Sequence, residues 1–134
     1  MNLRKLKRNT ARLIAASLEH PWRRDGRTDY IEKGITTDIE RINRNPDLVP
    51  TGSCSGHSGV PFLSVIFKDA RTRDRNKKRI QKLGLHIHKS DDYRMTFFED
   101  EPGITEEWNI GPRKRLTKKE ARDFWQTLVG VFGV

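Results

Sequence analysis

One short stretch of the chain concentrates the residue types that do chemistry. Residues 51–59, with the sequence TGSCSGHSG, hold three glycines, four hydroxyl groups and the only cysteine. Glycine adopts positive φ angles easily and lets backbone amides approach a ligand closely. Because loops held between rigid elements often carry function, we interpret residues 51–59 as a binding loop between a helix and a strand.

Several kinds of chemistry are open to this loop. The candidate catalytic residues are Ser53, Cys54, Ser55 and His57, and the candidate cofactor-binding residues are Thr51, Ser53, Ser55 and Gly56. Cys54 and His57 could be a nucleophile and its base, although nothing in their spacing requires contact. With His86 and His88 they would supply four zinc-type ligands, but the spacing lacks a zinc signature, so we predict no metal site.

The chain is strongly basic, which points to a polyanionic partner. It has 27 Lys and Arg residues against 18 Asp and Glu, a formal net charge of +9. Nucleic acid is the usual polyanion, and an inert basic surface is the alternative. The positive charges cluster before residue 28, over 71–82 and over 113–122. The candidate nucleic-acid-binding residues are Arg23, Arg24, Arg71, Arg75, Lys78, Arg79, Lys82, Arg113, Lys114 and Lys118.

Length and composition limit the remaining possibilities. The 134 residues fit a single domain over residues 1–134. The lone cysteine excludes an intramolecular disulfide, and the polar N-terminus has no apolar export segment, so we expect a cytoplasmic protein. No apolar run is long enough to span a membrane.

Two helices are predicted before the loop. Leucine, threonine and isoleucine side chains from Leu3 to Leu18 recur at steps of three and four, which predicts an amphipathic helix ending near Glu19. Ile31, Ile35, Ile39 and Ile42 then follow at spacings of four, four and three. This pattern predicts a second helix over residues 30–45 with one buried stripe.

The elements predicted after the loop alternate between strands and helices. The apolar run 61–67 predicts a buried strand, and residues 70–83 a basic helix capped by Asp69 or Thr72 and ended by Gly84. Strands are predicted at 85–88, 93–98 and 105–110, and a last helix begins at the capping box of Thr117 and Glu120. The order predicts an α+β domain, a mixed β-sheet with helices packed mainly on one side.

The order of these motifs resembles a known family. The matching positions are Ile31, Ile35, Ile39, Ile42 and Asn43, then Thr51, Ser53, Cys54, Ser55 and Gly56, then the strand 61–67. They resemble the tRNA methyltransferases of wybutosine biosynthesis. That family usually has two serines before the cysteine and an arginine after the glycine, where this chain has Gly52 and His57. His57 is not a fixed cation, because the ordinary pKa of histidine is about 6.5.

The resemblance implies a compact α+β domain that uses S-adenosylmethionine to methylate a modified guanosine of tRNA. From it the sequence predicts a tRNA-directed, S-adenosylmethionine-dependent methyltransferase-like protein of the wybutosine-synthesis type. The alternative is a non-catalytic RNA- or DNA-binding module of related fold, whose Ser-Cys-Ser-Gly-His loop binds an anion or a metal. No Gly-x-Gly-x-x-Gly motif follows a strand, so a doubly wound methyltransferase fold is not expected.

Overall fold

The described chain forms two α-helices, two strands, a third α-helix, two more strands and a closing α-helix. The computed structural model describes residues 3–19, 31–56, 58–90 and 106–134. The helices are α1 (Leu3–Glu19), α2 (Thr36–Asn43), α3 (Ala70–Lys82) and α4 (Lys118–Phe132), with a short 3-10 helix over Lys33–Ile35. The strands are β1 (Leu48–Cys54), β2 (Phe62–Phe67), β3 (His86–Lys89) and β4 (Trp108–Gly111). The strand predicted at 93–98 lies outside the described residues.

The four described strands form one sheet in the order β1-β2-β4-β3. All three pairings are antiparallel, so the α+β class is confirmed, while the mixed sheet predicted from the sequence is not what these strands form. The prediction also missed β1, because Thr51–Cys54 belong to this strand and not to a loop. Pro50 and Gly52 are unusual inside a strand, so the sequence does not predict one here. They are tolerated because β1 lies at the edge of the described sheet, with a break in register between them.

The main core lies between one face of the sheet and helices α2, α3 and α4. Ile39, Ile80 and Phe124 from these helices join Leu63 and Val65 of β2 in one buried cluster. The predicted isoleucine stripe is buried, since its four side chains are all 2% exposed or less. The predicted helix over residues 30–45 is shorter than expected: Ile39 and Ile42 lie in α2, Ile35 ends the 3-10 helix, and Ile31 precedes both. The predicted Asp69 cap of α3 and the Thr117–Glu120 capping box of α4 are confirmed as well.

Helix α1 covers the outer edge of β1. The Lys7 ammonium donates to the carbonyls of Asn43, Asn45 and Leu48, and the Thr10 hydroxyl donates to the Pro50 carbonyl at 3.0 Å. Burial lowers the pKa of Lys7, because desolvation disfavours its charged form. The bonds to Leu48 and Pro50 satisfy carbonyls of β1 that would otherwise be open to pairing with another strand.

The C-terminal turn of α1 departs from the sequence prediction. The apolar spacing predicts that Leu18 lies on the buried face, but this side chain is 51% exposed. Ser17 is buried in its place, and its hydroxyl accepts a bond from the Ile31 backbone at 2.8 Å.

None of the described helices combines the length and the apolar character needed to cross a membrane.

Candidate functional site

The predicted binding loop is shorter than expected and forms the connection between β1 and β2. Its tightest turn runs from Gly56 to Gly59, where the Gly59 amide donates to the Gly56 carbonyl at 2.9 Å. Both glycines have positive φ, +103° and +86°. Gly52 does not, since it lies within β1. Two of the three glycines therefore have the conformation predicted for the loop.

A carboxylate from outside the loop holds its first residue. The Ser55 amide donates to one Glu32 oxygen at 3.0 Å, and the Ser55 hydroxyl donates to the other. Glu32 comes directly before the 3-10 helix and is half-buried. Sequence reasoning missed this residue because an isolated glutamate beside the isoleucine stripe belongs to no recognisable motif.

The far side of the loop rests against the start of α4. The Arg115 guanidinium donates to the Ser58 carbonyl, and the Leu116 amide donates to the Gly59 carbonyl, both at 2.8 Å. Gly56 faces the same helix, since a Cβ atom at this position would lie 3.0 Å from the Ala121 Cβ. The described residues of the loop are thus held by contacts on both sides.

The predicted site residues differ in how far they reach solvent. Thr51 is fully buried, and its hydroxyl is 2.7 Å from a carboxylate oxygen of Glu107, which is itself 2% exposed. Cys54 is buried at the end of β1, whereas Ser53 and Ser55 are half-buried. His57 lies outside the described residues. Catalytic and cofactor-binding roles for these positions stay predictions.

Comparisons with protein-family models, curated proteins and solved structures found no match to this chain. The resemblance to wybutosine-synthesis methyltransferases therefore still depends on the sequence motifs alone.

The zinc alternative is not compatible with the sheet. Cys54 lies on β1 and His86 and His88 on β3, the two outer strands of the described sheet. Three strand spacings separate them, which is about 14 Å. One ion therefore cannot bind Cys54 and either of these histidines. Within the described ranges, no group of three or more His, Cys, Asp or Glu side chains is placed to hold a metal.

The predicted basic helix α3 carries its charges as a straight row. Arg71, Arg75, Lys78 and Lys82, hereafter the cation row, follow at steps of four, three and four. At 3.6 residues per turn they lie within an arc of about 60° and extend roughly 16 Å. The row points away from the protein, because the buried side chains of α3 are Thr72, Asn76 and Ile80 on the opposite face.

Most of the cation row is not neutralised by acidic side chains of the described protein. Arg75 lies 3.5 Å from Asp47, at the outer limit of a salt bridge. Arg71, Lys78 and Lys82 form no ion pair with any residue in the described part of the chain. Arg79, beside the row, donates to the Asn76 side chain and the Val131 carbonyl.

The basic cluster near α4 is divided between structural and exposed side chains. Arg122 is structural, since it donates to Asp38 at 2.9 Å and to the Gly34 carbonyl at 3.2 Å. Lys114 is exposed and lies 3.7 Å from Glu120, while Arg113 and Lys118 are exposed. Arg23 and Arg24 lie outside the described residues.

The cation row and the loop lie at opposite ends of the fold. Arg75 is next to Asp47, just before β1, whereas the loop follows β1, and a seven-residue strand is about 20 Å long. Arg79 reaches Val131 near the end of α4, whereas Leu116 bonds the loop before α4 begins, about 22 Å away along the helix. A ligand that touches both regions must be a macromolecule.

Replacing Glu32 by glutamine is expected to destabilise the protein by about 1 to 2 kcal/mol, because one of the two Ser55 donors then meets an amide NH₂ group instead of an acceptor. Urea unfolding measures the change. Glu40→Gln is the matched control, since Glu40 pairs with Arg44 in an exposed i,i+4 position and should cost about 0.5 kcal/mol or less. Equal effects of the two substitutions would show that Glu32 does not hold the loop.

Proposed function

We propose that this protein binds nucleic acid, with tRNA as the expected class, through the cation row of α3. The observation that supports this proposal is that the row has four exposed cations on one helical arc. Three of them have no ion pair among the described residues. Lys and Arg side chains bind phosphates and release condensed counterions, which supplies most of the affinity of non-specific nucleic-acid binding. Such interactions position a protein on the phosphate backbone.

The energetics of α3 support a binding role for the row. Like charges at i,i+4, as in Arg71–Arg75 and Lys78–Lys82, destabilise a helix by about 0.2 to 0.5 kcal/mol per pair. Asp74, four residues before Lys78, opposes this repulsion, but its carboxylate is paired with Arg73. Arg71 lies in the first turn, where the helix dipole also disfavours a cation. Nothing in the fold requires this arrangement, because the row makes no contact with the core. A row of phosphates would relieve the repulsion.

The test is to neutralise the row and measure the salt dependence of tRNA binding by fluorescence anisotropy. In a variant with Arg71→Gln, Arg75→Gln, Lys78→Gln and Lys82→Gln, we expect weaker binding and a log–log slope reduced by about 0.7 to 0.9 for each phosphate that the protein no longer neutralises. The matched control neutralises four exposed cations elsewhere, Lys33, Arg41, Arg44 and Lys89. If affinity and slope fall equally in both variants, the effect depends on net charge alone and the site on α3 is refuted.

A second candidate is the S-adenosylmethionine-dependent tRNA methyltransferase that the motifs resemble. The observation in its favour is the fixed Ser53–Gly56 segment beside the Glu32 carboxylate, which would complement a positively charged cofactor. Ser53, Ser55 and Glu32 are the residues that would hold it, since Thr51 is fully buried and Gly56 turns against Ala121 and Pro61. When bound, the cofactor would supply an activated methyl group, and the loop residues would orient it.

Calorimetry with S-adenosylmethionine, with and without tRNA, separates the two candidates. Binding that Glu32→Gln weakens, in a variant shown to be folded, supports the methyltransferase. If tRNA binds tightly and S-adenosylmethionine gives no heat of binding under either condition, the methyltransferase hypothesis is refuted and the binding-module hypothesis is supported.

A further inference from the structure

We infer that α3 docks on a base-paired stem and not on a single strand. This inference is built on the proposed nucleic-acid binding and names the class of target that the helix fits. It follows from three features of the helix surface: the rigidity of the cation row, the absence of an open aromatic ring beside it among the described residues, and the scarcity of side chains that read bases.

The first feature is that the cation row is rigid. Its four side chains start from one straight helix that is anchored by Thr72, Asn76 and Ile80 in the core, so the spacing of their Cα atoms is fixed over roughly 16 Å. Phosphates of a duplex also have fixed spacing and line both sides of a groove. A single strand would first have to be ordered to match the row, at a cost in conformational entropy.

The second feature is that no aromatic ring of the described chain next to α3 is open to a base. Single-strand binders usually stack successive bases on aromatic side chains. The ring that contacts the helix is that of Trp108, which is half-buried on β4. The Lys77 ammonium lies 4.7 Å from its ring centroid and the Arg73 guanidinium 5.6 Å, so cations already occupy this site. The exposed rings of His86 and His88 lie on β3, but they alternate with Ile87, which packs in the core with Ile80 of α3, so they point to the other face of the sheet.

The third feature is that the arc of the cation row carries no amide or hydroxyl side chain. Gln81, the exposed amide of α3, lies about 60° or more from the row. Asn76 is buried and bonds the Thr72 carbonyl. Of the groups that read base edges, the arc carries only the guanidinium groups of Arg71 and Arg75, which bind phosphates bidentately as well, while Lys78 and Lys82 bind phosphates as point charges. Recognition by α3 therefore depends mainly on the shape of the backbone.

The experiment compares three probes over one series of salt concentrations: an RNA hairpin stem, one unpaired strand of that stem, and the DNA duplex of the same sequence. We expect the RNA stem to bind about tenfold or more tighter than its single strand, with a salt slope nearer 0.9 than 0.7 per neutralised phosphate. The variant with the neutralised cation row should lose this preference. Similar affinities for the two duplexes would support recognition of the backbone.

The contrary outcomes are distinct. Binding of the single strand as tightly as the stem would overturn the inference while leaving the proposed function standing. Trp22 lies outside the described residues and is flanked by Arg23 and Arg24, so it is the obvious alternative stacking residue. If Trp22→Ala abolishes binding of the RNA stem in a folded protein, the stem is not held by α3. Failure of every probe to bind would reject the proposed function itself.

Discussion

Replacing Gly56 by valine is expected to destabilise the protein by about 2 to 6 kcal/mol. The φ angle of +103° costs about 1 to 3 kcal/mol for a residue with a Cβ atom. That Cβ would lie 3.0 Å from the Ala121 Cβ and 3.1 Å from the Pro61 Cβ, closer than packed atoms normally approach. Overpacking of this kind adds about 1 to 3 kcal/mol. Urea unfolding at equilibrium measures the sum.

Gly84 provides the control that separates the two contributions. It also has positive φ, +77°, but a Cβ atom there would meet nothing within 4 Å. Gly84→Ala should therefore cost only the conformational part, about 1 to 2 kcal/mol. Gly56→Ala should cost more than Gly84→Ala because of the close approach to α4 and Pro61. If the two alanine variants are equally stable, the loop does not rest against α4 as described.

Regular helices are the most predictable part of this fold. The buried Ile39 and Ile42 of α2, the Asp69 cap of α3 and the Thr117–Glu120 box of α4 depend on residues within one or two turns of each other. Local spacing therefore carries enough information to predict them. Strand direction depends on which distant segments pair, and that explains why the sequence predicts a mixed sheet where the described pairings are antiparallel.

The polar composition of residues 51–59 is a poor guide to burial. Thr51 is fully buried because its hydroxyl meets Glu107, a partner 56 residues away in the sequence. The contacts that fix the loop are equally remote, since Glu32 lies 23 residues before Ser55 and Arg115 lies 57 residues after Ser58. Polar residues can lie in a core when their groups are paired, and such pairing is not visible in one sequence.

The loop and the cation row form two separate regions of the structure and not one site. The sequence suggests one site in which a loop holds a cofactor or base while basic helices hold RNA. In the structure about 20 Å of strand lies between the two regions. Variants in the two regions should therefore act independently, because residues more than about 10 Å apart without shared partners usually contribute additively.

Truncating a side chain of the isoleucine stripe is also expected to destabilise the protein strongly. Ile39 is completely buried in the main cluster, between the sheet and helix α4. Ile39→Ala removes three carbon atoms and leaves a cavity, which should cost about 2 to 5 kcal/mol. For a domain of this size a loss of about 3 kcal/mol corresponds to a drop of roughly 10 °C in Tm. Calorimetry or thermal circular dichroism measures the shift directly.

Leu83→Ala tests whether that loss comes from burial and not from the change of residue type. Leu83 follows the last turn of α3 and is 48% exposed, so its truncation should change stability by only about 0.5 kcal/mol. Asp38 of α2 accepts a hydrogen bond from Arg122 of α4, and the loop rests against the start of α4. The cavity at Ile39 should therefore weaken the contacts of the loop along with those of the core. A Tm for Ile39→Ala within experimental error of that for Leu83→Ala would contradict the placement of the stripe at the centre of the core.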